Sequence, residues 1–283
     1  MKIQYDNRVM SSLLLYIDHY VCQKGEGFTN TNSYFYPVSQ TYSNLFNYAA
    51  PYKQLVADES VAGATVMKSV YIDSGGSFES FNVGQSGVSA IDHNDGIIQT
   101  SVQITGDNRI SGDFAVKDFN IYLTNKAEEQ ILFETKYKLK PKVSQTLSGL
   151  PPDTETYPAI FVKNISSQNR PGYYGGTDLT SVGVRAVVLA DSAYSLDAVC
   201  SILADRSKTM VKLIEEKLPF NAVGAYTGQS YNYTGLAASV SSGIFIEDVS
   251  VSKRVGGDYS ALNPNIYTAF VDFDLNEFRK PRS

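Results

Sequence analysis

The stretch from residue 181 to residue 218 constrains the fold most, because its pattern changes abruptly from that of a strand to that of a helix. Every second residue from Val182 to Ala190 is valine or alanine, and the residues between them are also largely apolar, as in a strand buried on both faces. Apolar residues then recur at helical spacing, which predicts a helix that ends at Pro219. This helical stripe comprises Leu196, Val199, Cys200, Leu203, Met210, Val211 and Ile214, and the candidate N-cap residues are Asp191, Ser192 and Ser195.

The other clear elements group around this strand and helix. A helix is predicted over residues 8–22, and its apolar face needs a distant partner to cover it. Strands are predicted near residues 158–165, 243–255 and 266–275, and the alternation in the second of them slips at Glu247–Asp248, which indicates a β-bulge. We therefore expect an α+β core of order β-β-α-β-β, in which an antiparallel sheet packs against this helix and the N-terminal helix.

The region from residue 28 to residue 140 has a different character, because short strand candidates alternate there with turn residues. This rhythm is typical of a β-sandwich or barrel; residues 92–96 fit a hairpin turn, and residues 131–140 fit one more strand. We predict four regions: 1–27, the N-terminal helix of the core α+β domain; 28–140, an inserted β-rich domain; 141–157, a Pro-rich linker or arm; and 158–283, the core α+β domain.

Composition limits the classes of function. A net charge of −5 and a pI near 5.1 argue against a protein whose main task is to neutralise nucleic-acid phosphate. The two cysteines, Cys22 and Cys200, lie in apolar helical stripes and are predicted to be buried thiols. Because no apolar run approaches the about 20 residues that span a bilayer and no secretory signal is recognisable, we expect a soluble protein made and kept in a cytoplasm.

Motifs that carry chemistry are weak throughout the chain. The two histidines, His19 and His93, have no further ligand at metal-binding spacing, and His19 is interpreted as a packed or boundary residue. The segment at 92–96 lacks the spacing and the final glutamate of a calcium loop, and the segment at 84–89 is not a nucleophile elbow. No phosphate-binding glycine motif is present. We therefore predict a protein that is not an enzyme and has no metal or cofactor.

Contact surfaces are the more promising kind of site. Tyrosine, serine, asparagine and glycine are abundant, and tyrosine offers a large contact area at a low entropic cost. The basic cluster near residue 280 is interpreted either as a solvated tail or as a contact element. The candidate interaction residues are Pro151, Pro152, Tyr173, Tyr174, Tyr231, Tyr233, Arg279, Lys280 and Arg282.

Several sequence segments are similar to those of a known class of protein: SYFYPV, YAAPYKQLVADESVAGA, VKDFNIYLTN, EEQILFETKYKL, YPAIFVKN, VRAVVLADSAYSLDAVCSIL, YNYTG and FVDF with FRKPR. Together they resemble virion structural proteins of contractile-tailed, marine-type bacteriophages, and the predicted core is similar to the neck and tail-terminator (tail-completion) class. The resemblance implies a subunit of the virion, assembled in the host cytoplasm, that forms a ring, most simply a hexamer. It offers no catalytic residues.

The same resemblance implies certain partners. These are other copies of the chain and neighbouring neck or tail proteins such as the tail tube, the sheath or the head–tail connector. It implies no membrane and no sequence-specific nucleic acid, with DNA only passing through the lumen. The β-rich insertion of residues 28–140 departs from the simple pattern of that class, so the position in the neck, the terminator or the baseplate stays open.

Two other functions compete with a ring subunit. The Tyr-, Asn- and Gly-rich β region suits a module that binds a glycan or a host surface in a phage tail or baseplate. A hydrolase with paired carboxylates is the third reading, and it rests only on the abundance of acidic residues.

Overall fold

A computed structural model describes residues 4–38, 45–52, 54–73, 75–104, 109–137, 157–173, 176–214, 219, 226–254 and 266–280. The chain is a mixed α+β protein with mostly antiparallel sheets, one a nearly closed barrel-like sheet and the other a half-barrel. The predicted fold class is therefore confirmed, including the N-terminal helix. The predicted linker at 141–157 lies almost entirely outside the described residues.

The first sheet has seven antiparallel strands in the order β4-β3-β7-β1-β2-β6-β5. Its strands are β1 (Phe28–Val38), β2 (Phe46–Ala49), β3 (Ser69–Asp73), β4 (Phe78–Asn82), β5 (Val88–Asp92), β6 (Ile97–Thr100) and β7 (Ile110–Lys117). The predicted hairpin turn at 92–96 joins β5 to β6, which pair antiparallel. The apolar core of this sheet includes Phe35 and Phe114, whose rings meet edge to face at 5.5 Å.

The second sheet has six strands in the order β11-β12-β13-β10-β9-β8. Its strands are β8 (Asn120–Leu123), β9 (Ala159–Tyr173), β10 (Thr177–Ala190), β11 (Met210–Lys212), β12 (Gly243–Arg254) and β13 (Tyr267–Arg279). All neighbouring strands pair antiparallel except β8 and β9, which are parallel. The strand predicted from residue 181 is β10, at the centre, and the predicted bulge lies between Ile246 and Asp248. Because β8 belongs to this sheet, the strands of the first sheet end at Lys117.

In the described part of the chain, four helices accompany the sheets: α1 (Tyr5–Gly25), α2 (Glu128–Tyr137), α3 (Ala193–Ala204) and α4 (Tyr233–Ala238). Helices α1 and α3 share one core with the inner face of the second sheet, as the sequence predicts. They approach so closely that a Cβ on Gly25 would lie 2.9 Å from Ile202 Cδ1. The Ser192 side chain caps α3 by accepting a 3.1 Å hydrogen bond from Ser195 N. Cys22 and Cys200 are buried free thiols in this layer.

Two predicted elements differ in the structure. The sequence predicts a strand at 131–140, but residues 128–137 form helix α2, which covers the outer face of the second sheet with its own buried side chains Ile131 and Leu132. The helix expected to reach Pro219 ends at Ala204, because a turn follows and residues 210–212 become the edge strand β11. There Val211 is buried while Met210 is exposed, so the apolar residues follow strand alternation.

Candidate interaction edges and a buried polar junction

A buried ion pair joins helix α1 to the first sheet. Lys117, the last residue of β7, places its Nζ 2.6 Å from Asp18 Oδ1, and both side chains are almost fully buried. The second oxygen of Asp18 accepts a 2.8 Å hydrogen bond from the Tyr231 hydroxyl. Burial, followed by the charge of Asp18, raises the pKa of Tyr231 well above its ordinary value, so this ring stays a neutral donor. The three groups therefore satisfy one another in the interior.

A second pair lies one residue further along α1. The Asp58 carboxylate is fully buried, and its Oδ1 accepts hydrogen bonds from Ser60 N, Ser60 Oγ and Tyr233 N at 2.9, 2.7 and 2.9 Å. Its Oδ2 lies 2.6 Å from His19 Nδ1. Burial raises the pKa of Asp58, but the hydrogen bonds outweigh burial and the net pKa is lowered. Because an ionised carboxylate can only accept, His19 Nδ1 carries the proton.

The ring of His19 stacks on Tyr233, with centroids 4.7 Å apart, and meets Tyr20 edge to face. The interpretation of His19 as a packed or boundary residue agrees with this position, since only 11% of its side chain is exposed. In the sequence, Asp58 stands out only as one of many acidic residues, and nothing there distinguishes Lys117 from other basic residues. The available signal was Asp18 with His19, two adjacent polar residues that interrupt the apolar run from Leu13 to Cys22.

The second histidine connects the turn after β5 to the loop before α4. His93 is buried, with Nδ1 2.8 Å from Gly228 O and Nε2 3.0 Å from Met67 O. Its backbone N–H also donates to Gly228 O at 2.7 Å. The neighbouring Asp92 lies under Gly228 and accepts hydrogen bonds from Asn94 N and Asp95 N. Burial, reinforced by the charge of Asp95, raises the pKa of Asp92 to about 6.

Four of the predicted contact residues are described with their side chains, and they differ in burial. Tyr231 and Tyr233 are buried in the polar junction, which they form with Asp18, His19, Asp58 and Lys117. Their rings therefore pack inside the chain and do not form part of an outer surface. Arg279 is half-buried, with its guanidinium 3.7 Å from the centroid of the Tyr5 ring and Nε donating to Thr180 Oγ1. Lys280 is exposed.

The remaining predicted contact residues are not described at side-chain level. Tyr173 ends strand β9, and only its backbone is described. Pro151, Pro152, Tyr174 and Arg282 lie outside the described residues.

The second sheet has two open edges on opposite sides. From Lys163 to Tyr173, β9 pairs with β10 alone among the described strands, and residues 164–171 are exposed throughout. On the other side, the short strand β11 covers only the start of β12, so Glu247–Arg254 pairs with β13 alone in the described part of the chain. Unpaired N–H and C=O groups on such edges are templates for an additional strand.

The outer face of the first sheet carries exposed aromatic rings. Tyr34 and Tyr36 on β1 are each 39% exposed, and Phe78 on β4 is 45% exposed. The Arg109 guanidinium lies 5.6 Å from the centroid of the Tyr34 ring. Exposed rings beside polar side chains form a surface that can contact a sugar or a protein.

The described ranges contain no cluster of three or more His, Cys, Asp or Glu side chains placed to bind a metal ion. No helix among them combines the length and the apolar character needed to cross a bilayer.

No model of a protein family matches the chain, and no curated protein is significantly similar to it.

Proposed function

We propose that this chain is a structural subunit of a tailed-phage virion that assembles through protein–protein contacts into a ring in the neck or tail. The observation that carries the proposal is the pair of open edges on opposite sides of the second sheet, β9 from Lys163 and β12 from Glu247. The resemblance of the sequence to virion proteins supplies the virion setting, at the head–tail connection or as a tail terminator.

Strand directions favour this assembly. Strand β9 is antiparallel to β10, β10 to β13, and β13 to β12, so β9 and β12 run in opposite directions. The β12 edge of one copy can therefore extend the β9 edge of the next as an antiparallel pair. Because the two edges differ, the contact is heterologous, and such contacts close into rings when the rotation between copies allows it. The bulge and the basic residues of β12 limit unspecific pairing.

The proposal is tested by the size and shape of the purified chain, measured by sedimentation velocity and electron microscopy. We expect closed rings of uniform size. Adjacent proline substitutions, Ser167→Pro and Gln168→Pro, provide an internal control, because neighbouring N–H groups of a strand point to opposite sides. In one of the two variants, the proline removes an N–H that points to solvent in the isolated chain. That variant should keep its melting temperature but no longer assemble into rings. Monomers at all concentrations, or rings in both variants, would contradict the proposal.

The virion setting has its own test. Mass spectrometry of purified particles of a phage that encodes this chain should detect it in several copies per particle, and absence from the particles would rule out a virion role.

A second candidate is a module that binds a glycan or a host surface, favoured by the exposed rings of Tyr34, Tyr36 and Phe78. A glycan array should then show defined hits that Tyr34→Ala abolishes. Tyr231 is unsuitable for this test because it is buried, and its loss would disturb the fold. An array without hits would remove this candidate.

A further inference from the structure

The outer face of the second sheet is covered in one half and open in the other. Helix α2 covers the first half, where Ile131 and Leu132 pack with Phe161 and Phe270. In the other half the sheet forms a depression of about 420 Å³ whose lining includes Gly183, Glu247, Asp248 and Asp274. Gly183 contributes to the open space because it has no side chain. Even a Cβ at this position would lie 2.5 Å from Ser166 Oγ.

Charges in the two halves are balanced differently. In the covered half, the Arg185 guanidinium binds both oxygens of Asp272 at 2.6 and 2.8 Å and lies 3.4 Å from Glu128. Asp274 lies two residues beyond Asp272 on β13. It pairs with Gly183 on β10 and with Asp248 on β12. Within the described residues, neither Asp274 nor Asp248 forms an ion pair or a side-chain hydrogen bond. Like charges opposite each other on neighbouring strands are destabilising, and a cation between them would relieve the repulsion.

Apolar side chains border the depression. Phe245 is 38% exposed and pairs with Asn276, which lines the depression. Met210 pairs in turn with Phe245 and is 53% exposed, and Phe278, two residues beyond Asn276 on β13, is 57% exposed. An occupant that carries basic groups on aliphatic stems would match both the carboxylates and this apolar border.

We propose that the depression receives a basic segment of a second copy of this chain, from Lys280 to Arg282. This segment contains two basic residues, Lys280 and Arg282, and no acidic one, so its charge complements that of the depression. The same chain's own Lys280 does not reach it: β13 stays extended to Arg279, which puts Lys280 about 20 Å from Asp274. This inference rests on the proposed self-assembly and names one of its contacts.

A charge-exchange experiment on the full chain tests the contact. The variants are Asp248→Lys with Asp274→Lys, Lys280→Glu with Arg282→Glu, and all four together. Each double reversal should weaken association at least tenfold in sedimentation velocity at low salt, and the fourfold variant should recover most of the loss. Glu79→Lys with Asp113→Lys changes the net charge as the first variant does, at exposed positions on the first sheet, and should leave association unchanged.

The outcomes separate this inference from the proposed function. If the wild-type chain forms rings and the double reversals leave them intact, the contact is wrong while the ring proposal stands. If both reversals weaken association but the fourfold variant does not recover it, the two segments do not meet and the contact is wrong. A monomeric wild-type chain overturns both.

Discussion

Lys117 Nζ lies 2.6 Å from Asp18 Oδ1, and this buried contact ties the last strand of the first sheet to the helix that packs on the second. Moving two charges out of water is expensive, and the Tyr231 hydroxyl offsets part of that penalty by bonding the free oxygen of Asp18. The two sheets are thereby joined by polar groups that satisfy one another in this arrangement. We infer that this junction fixes how the two parts of the chain sit together.

Lys117→Met should lower the free energy of unfolding by about 3–5 kcal/mol, because it leaves the Asp18 carboxylate buried without its partner. Urea denaturation at neutral pH measures the loss. Lys68→Met is the matched control, since the Lys68–Glu59 pair is largely exposed and should contribute less than about 1 kcal/mol. Equal losses in the two variants would contradict a special role for the buried pair.

Asp58 should make the chain sensitive to acid. Its pKa is lowered in the folded state, so its contribution to stability is present above the ordinary carboxyl pKa of about 4 and is lost as the pH falls through the lower folded value. Denaturation midpoints between pH 2 and pH 6 should fall with acid in the wild type and less steeply in Asp58→Asn. An identical slope in both proteins would show that Asp58 is not the group responsible.

Asp92 should act in the opposite direction. Its pKa is raised to about 6, so the folded state loses stability as the pH rises through that value and the buried carboxyl ionises. Asp92→Asn should therefore stabilise the chain by about 1–3 kcal/mol at pH 8 and have little effect at pH 4. Unfolding curves at the two pH values measure the difference. A stabilisation independent of pH would point to a cause other than ionisation.

Gly228→Ala should destabilise the chain more than Gly176→Ala. Both glycines have a positive φ, of +74° and +79°, so an alanine is strained at either position by about 1 kcal/mol. A Cβ at Gly228 would in addition lie 1.9 Å from Asp92 Oδ1, whereas nothing lies within 4 Å of one at Gly176. Melting temperatures of the two variants compare the clash with the strain alone, and equal losses would contradict the close approach of Asp92 to Gly228.

The sequence predicted the four long strands of the second sheet, because each contains a long apolar pattern, but it placed β8 in the inserted region and β11 in a helix, and it ended β9 at residue 165. The bulge at Glu247–Asp248 and the buried central strand from Val182 to Ala190 followed from local patterns alone. Local pattern failed for residues 131–140, where a short apolar stretch fits a strand or a helix and the sheet beneath it decides.

The polar junction was beyond prediction from sequence for a physical reason. Asp18 and Lys117 are far apart in the chain, and many acidic and basic residues compete for such a pairing until the fold brings two of them together. The same holds for Tyr231 and Tyr233, whose composition suits an exposed contact but whose rings the fold buries.

Disulfide cross-linking between copies tests the central claim, that β9 of one copy meets β12 of the next. Two preparations are mixed, one with single cysteines scanned along residues 165–170 and the other along residues 248–253; the native Cys22 and Cys200 are buried. We predict that cross-linked dimers form only in mixtures whose two cysteine positions lie opposite each other in a single β9–β12 register. Neither preparation alone should form them. Cross-links of equal yield in all mixtures, or none in any, would contradict the account.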